Sequence, residues 1–306
     1  MWALPDVPAE PPPGRAASTE PPVRDDGSLR GRPGSIRTPI PLHPAGIAEI
    51  FDGGFEAIKL RPQTLIGLSA LFTLPVQAVL VWLSRASGSG AFATQSASSF
   101  DLGDIGPGEL FVLYIGGGLS LAWTTAAVSL LLSSWYAGQD RTDRELVVAA
   151  LKRTHHLMIA WVAVHLFQLV FVFLGVVTVA VGAAFTLSVT PAMVVENVGP
   201  FKAIDRSFRL ARSEFGRGLG FVLVAALLVA IITPVLGLIP WFLVDQYDLG
   251  GEWLIATGVA TGGVILINAF LSAATTLFYL DLRVRTEGVD LVLQLPDRFD
   301  RRIRPR

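Results

Sequence analysis

The chain has 306 residues, of which 52% are hydrophobic and only 16% charged, with a net charge of −1. Soluble domains carry about 25% charged residues, so this composition points away from an ordinary water-soluble fold, and the near-zero charge gives no footing for nucleic acid. With no cysteine, disulfides, thiolate nucleophiles and cysteine-ligated metals are excluded.

Residues 1–45 hold eleven of the twenty prolines, and five arginines there balance five acids. Such a segment buries too little apolar surface to offset its chain entropy and is expected to be a disordered cytoplasmic tail. It contains no apolar stretch of the signal-peptide kind, so no cleaved leader is expected. A proline-rich docking peptide and a solvated tail are both open.

Six apolar blocks follow, at about residues 64–84, 110–136, 157–175, 178–195, 219–244 and 253–280, none containing Asp, Glu, Lys or Arg. The third and fourth share a charge-free run of 39 residues, 157–195. As one helix that run would measure about 58 Å, roughly twice the hydrocarbon core of a bilayer, so it must turn, and the turn is expected near Gly175. The fold class expected is therefore an all-α membrane protein with six transmembrane helices arranged as three hairpins, spanning residues 46–285. A basic cytoplasmic tail over 286–306 ends the chain, with five arginines in its last nine residues.

The loops orient it. Arg141, Arg144, Lys152 and Arg153 precede the third block; Lys202, Arg206, Arg209, Arg212 and Arg217 precede the fifth; Lys59 and Arg61 precede the first. The alternate loops are acidic or nearly free of bases. The positive-inside rule places both termini in the cytoplasm of a cell-membrane protein.

Just before each odd-numbered block, apolar residues recur at steps of three and four. These are Ile47, Ile50, Phe51, Phe55 and Ile58; then Val147, Ala150 and Leu151; then Phe201, Ile204, Phe208, Ala211 and Phe215. This predicts three interfacial amphipathic helices and a threefold repeat of surface helix plus hairpin.

Polar residues within the blocks are few. His165 and Gln168 lie three apart on one helix face; Gln77 and Asn268 stand alone. They read either as a solute contact or as interhelical hydrogen bonds, of which the second is expected. Gly258 and Gly262, four apart, and Gly116 to Gly118 are expected to permit close helix approach. Pro75, Pro191 and Pro234 each interrupt a block. The adjacent His155 and His156 make poor co-ligands, so no metal or other cofactor is expected. Glu196, Arg206, Arg209, Asp281, Arg283 and Arg285 are expected to form an ion-pair network or an anionic headgroup site at the membrane surface. No nucleotide-binding loop, HExxH or GxSxG element occurs, and no catalytic residue is assigned.

Three stretches carry a family resemblance. They are residues 41–55, residues 194–210 with Glu196, Gly199, Pro200, Arg206 and Ser207, and residues 278–288 with Asp281 and Arg283. The chain, over about residues 38–295, resembles an actinobacterial family of polytopic membrane proteins with no assigned reaction, often labelled by similarity to the membrane domain of glycerophosphodiester phosphodiesterases. The resemblance implies topology and an envelope setting, since no soluble segment here is long enough for the barrel such an enzyme resembles. Three functions remain open: a non-enzymatic scaffold or accessory protein acting through anionic lipids or a protein partner; a transporter or permease-like subunit for a small or amphipathic solute; and a lipid-modifying enzyme using Glu196. A continuous polar cavity reaching His165 and Gln168 would favour transport. The enzyme needs a Glu196 left unneutralised by Arg206 or Arg283.

Overall fold

A computed structural model describes residues 38–40, 43–87, 106–247 and 252–288. The elements are α1 (Ile47–Leu60), α2 (Pro62–Ser87), α3 (Pro107–Phe111), a π-helical turn (Val112–Gly116), α4 (Gly117–Tyr136), α5 (Asp143–Lys152), α6 (Thr154–Leu174), α7 (Val176–Thr186), α8 (Val189–Val195), α9 (Pro200–Ser213), α10 (Phe215–Tyr247) and α11 (Glu252–Glu287). Among the described residues there is no strand. Six helical stretches are long and apolar enough to cross a membrane, so this is a multi-pass membrane protein. Residues 1–37, 41 and 42 of the proline-rich stretch 1–45, with its docking-peptide reading, the basic tail beyond Gly288 and the loop 88–105 lie outside the described residues.

Local sequence explains where the helices begin and end. Thr142 caps α5: its hydroxyl accepts from the Glu145 N–H (3.4 Å), and Glu145 accepts from the Thr142 N–H (3.0 Å). Pro200 opens α9 at a position that needs no N–H. The α6–α7 turn is made at Gly175, whose φ of +115° suits only glycine. Thr178 secures it, donating from its hydroxyl to the Phe171 carbonyl (2.6 Å). The fourth apolar block is not one helix: it breaks between α7 and α8 at Leu187–Ser188, just ahead of Pro191.

α11 is the axis. Its apolar window is 72% buried, against 11% for the windows of α6 and α10, so these two lie at the outside of the bundle. At 36 residues α11 is about 54 Å long, well beyond the hydrocarbon thickness. Hydroxyl pairs join it to α4: Thr125 to Ser272 (3.0 Å) and Ser129 to Thr276 (2.8 Å). Two bonds join it to α2: Asn268 donates to Thr73 (3.2 Å) and Ser69 donates to the Ile265 carbonyl (2.7 Å). Such bonds satisfy polar groups that lipid cannot.

Helices α1, α5 and α9 lie over the three apolar stripes, and each also turns a face toward the rest of the protein. On α1, Ile50, Phe51, Gly53, Gly54 and Ala57 are buried while Phe55 is exposed. The two glycines let α1 lie against α11; a Cβ on Gly54 would stand 3.1 Å from Phe270 and 3.3 Å from Ala274. On α9, Ala203, Ser207, Leu210 and Ala211 are buried while Phe201 is 72% exposed. Phe221 joins the layers, stacking on Phe51 (4.8 Å) and meeting Phe278 at a tilt (4.7 Å). The glycine expectation needs correction as well. Gly258 and Gly262 have nothing within 4 Å of a would-be Cβ, whereas Gly116, Gly118 and Gly263 lie against Val76, Trp161 and Leu236.

The stretch expected to be a tail is docked from Thr38 onward where it is described. Tyr136 donates to the Ile40 carbonyl (2.8 Å), and Ala45 is fully buried. Once a segment gains fixed hydrogen-bond partners and buried surface, its high proline content no longer decides its order.

Candidate functional site

The charged ends of α8, α9, α10 and α11 meet, and the acids and arginines expected to form one network form two. In the first, Glu196 caps α8 and accepts from Arg206 Nε of α9 (2.8 Å) and from the Tyr279 hydroxyl of α11 (2.7 Å). Arg206 also reaches Glu287, which accepts from Arg283 Nε (2.9 Å). Arg283 Nε lies 3.9 Å from Glu196. The result is a closed ring of alternating charges, Glu196–Arg206–Glu287–Arg283, holding three helices together.

The second centres on Asp281, whose side chain is 2% exposed. It accepts from the Ala45 N–H (2.8 Å), from Arg217 Nη2 (2.7 Å) and from Arg285 Nε (3.1 Å). The same two arginines donate to the Ala45 carbonyl, at 2.8 and 2.9 Å. Both main-chain groups of Ala45 are thus gripped by the end of the bundle. A buried carboxylate survives only with this kind of complete partnership. Arg217 Nε is buried without a hydrogen bond, 3.9 Å from the Glu214 carboxylate.

Arg209 belongs to neither cluster. It pairs with Asp205 one turn earlier on its own helix (3.1 Å), where both are largely exposed. Sequence reasoning missed four participants: Glu287, Tyr279, Arg217 and the main chain of Ala45. Glu287 follows Arg283 by four residues, a spacing that pairs charges on a helix; Ala45 carries no side-chain signal. A third tie, also unforeseen, joins Arg153 to the Met193 carbonyl (2.8 Å) and to Asn197, which adopts φ +56°.

No family model, curated protein or solved structure matches this chain.

The intramembrane polar residues do not form one cluster. Gln168 donates to Thr186 (3.1 Å) and Asn268 to Thr73 (3.2 Å), both across helices as expected. Gln77 makes no side-chain hydrogen bond to the described residues. His165 Nδ1 lies 2.7 Å from the carbonyl of Trp161, and the two rings stack at 3.9 Å. The His155 and His156 rings approach to 4.0 Å, and among the described residues no group of three potential metal ligands occurs.

Two cavities complete the picture. One, of about 660 Å³, is polar and lies at the charged end between the α1–α2 junction and the α4–α5 loop, bordered by the Arg61–Asp140 ion pair and by Arg141. The other, of about 640 Å³, opens between α4, α6, α7, α8, α10 and α11. It reaches His165 but not Gln168, and no charged residue lines it. Its walls are aliphatic, phenyl or glycine apart from His165, Trp161 and four threonines.

Proposed function

We propose that this protein is a non-enzymatic integral component of the cell membrane, a scaffold or accessory protein with both termini cytoplasmic that acts through contact with anionic lipid. The observation that carries the reading is a set of bases left without partners. Arg144 and Lys152 on α5, and Lys202 and Arg212 on α9, are exposed and make no ion pair with the described residues. Beside them stand exposed Val148, Leu151 and Phe201. Apolar side chains flanked by free bases suit an interface where hydrocarbon meets anionic headgroups, each base contributing about 1 kcal/mol near the surface. The ring arginines are spoken for by acids, so headgroup binding falls to these four instead. The actinobacterial family resemblance, with its envelope setting, belongs to the same proposal.

The test is lipid enrichment around the full chain in nanodiscs of phosphatidylcholine with phosphatidylglycerol. The parent is expected to retain phosphatidylglycerol preferentially, and changing Arg144, Lys152, Lys202 and Arg212 to Gln is expected to abolish the preference. Equal retention of both lipids by the parent, or full preference in the variant, overturns the reading.

A path for an amphipathic solute is the second reading, favoured by the cavity that reaches His165. Its apolar walls and the absence of Gln168 from them weigh against a small polar solute. A reaction at Glu196 lacks support, because Arg206 and Tyr279 already occupy that carboxylate.

A further inference from the structure

The central cavity has one polar atom whose chemistry is fixed by its neighbours. A main-chain carbonyl only accepts hydrogen bonds, so the 2.7 Å contact between His165 Nδ1 and the Trp161 carbonyl puts a proton on Nδ1. In the neutral ring this leaves Nε2 as a bare acceptor. Nε2 has no hydrogen-bond partner among the described residues, while His165 lines the cavity. The ring cannot easily turn away, since Trp161 stacks on one face and Tyr114 meets it edge-on at 5.1 Å.

The surroundings narrow what can donate to it. His165 stands eleven residues into α6, about 16 Å from its start, near mid-depth of a hydrocarbon layer about 30 Å thick. A charged group at that depth needs a counter-ion, and the cavity lining has none. The cavity runs from Phe221 to Ala230 along α10, about 14 Å, and its volume lies within the range of about 300–1,000 Å³ of small-molecule sites. Because spanning helices form most of its wall, lipid is the medium nearest to it. We propose that this cavity binds an uncharged lipid alcohol, its tail against the apolar walls and its hydroxyl donating to His165 Nε2. The proposal does not rest on the anionic-lipid reading of the surface helices and stands or falls separately.

The occupant's chemistry, a hydroxyl on an apolar tail, is shared by acylglycerols and isoprenoid alcohols, so the test carries both. The full chain in phosphatidylcholine nanodiscs is exposed to three photoactivatable probes: a diazirine diacylglycerol, a diazirine prenol and a diazirine phosphatidylcholine. Crosslinked peptides are mapped by mass spectrometry. At least one alcohol probe is expected to label α6 or α10 at the cavity, to be displaced by its unlabelled counterpart, and to exceed the phosphatidylcholine probe there. Which alcohol labels more identifies the source. His165→Leu is expected to lower that labelling about three- to tenfold, the range for losing one hydrogen bond. Ala226→Phe, which fills the cavity from α10, gives the same loss without touching the histidine. Labelling by phosphatidylcholine equal to that by both alcohols overturns the proposal, and so does labelling indifferent to competitor in the parent. Undiminished labelling in a folded His165→Leu protein refutes the hydroxyl contact and with it the proposal.

Discussion

Removing the Asp281 carboxylate tests the reading that this end of the bundle is a structural lock. Asp281→Ala strips the acceptor from the Ala45 N–H and from two arginines at 2.7 and 3.1 Å. Each hydrogen bond to a charged group contributes about 1.5–3 kcal/mol when measured singly. Three of them do not add, because Arg217 and Arg285 keep the Ala45 carbonyl as a second acceptor. The better guide is the penalty for breaking a buried ion pair from one side, about 3–5 kcal/mol. We expect a loss of that size in reversible unfolding in mixed detergent–SDS micelles. Arg285→Ala leaves Asp281 with Arg217 and the Ala45 N–H and is expected to cost less, about 1–2 kcal/mol. Hydrogen exchange supplies the local readout: α1, which follows Ala45, loses protection before the rest of the bundle. An Asp281→Ala protein within 1 kcal/mol of the parent, with α1 still protected, refutes the reasoning.

Arg206→Ala and Arg283→Ala open the ring around Glu196 and are expected to lower stability by about 1–3 kcal/mol in the same assay; a variant as stable as the parent but lacking a measured transport or enzymatic activity speaks for a functional Glu196 instead. Gly54→Val forces side-chain carbons into Phe270 and Ala274 and is expected to cost about 1–3 kcal/mol, whereas Gly258→Val, facing open space, costs markedly less; equal losses contradict the packing of α1 on α11. A double-mutant cycle on Ser129→Ala and Thr276→Ala is expected to give a coupling of about 0.6 kcal/mol and no more than about 1.7; zero coupling means that the hydroxyls do not bond across the helices.

Lipid made the spans legible. A solvent that rejects charge leaves runs free of Asp, Glu, Lys and Arg, and six apolar helical stretches, the fourth broken at Leu187–Ser188, lie where those runs fall. The turn at Gly175 was equally visible, because 39 charge-free residues exceed one crossing. The rim was only half legible. Glu196, Arg206, Asp281, Arg283 and Arg285 do engage one another or their neighbours, but as two clusters, and the one around Asp281 is built on Ala45, a residue with nothing polar in its side chain. The face that α1 turns to α11 was not legible at Gly53 and Gly54. There the contact surface is backbone, and a count of apolar side chains is blind to it; two adjacent glycines inside a helix were the signal, since each weakens the helix unless close packing requires it. The cavity escaped notice because its lining residues, Gly118 and Ala183 among them, read as ordinary apolar positions.

The grip on Ala45 sets an order of events during biogenesis. Its partner Asp281 lies 236 residues further along the chain. At ribosomal rates of about 5–20 residues per second, that separation is roughly 10–50 s of translation. α1 therefore waits, unlatched, until α11 has been made, and closure of this clasp requires both to be in place.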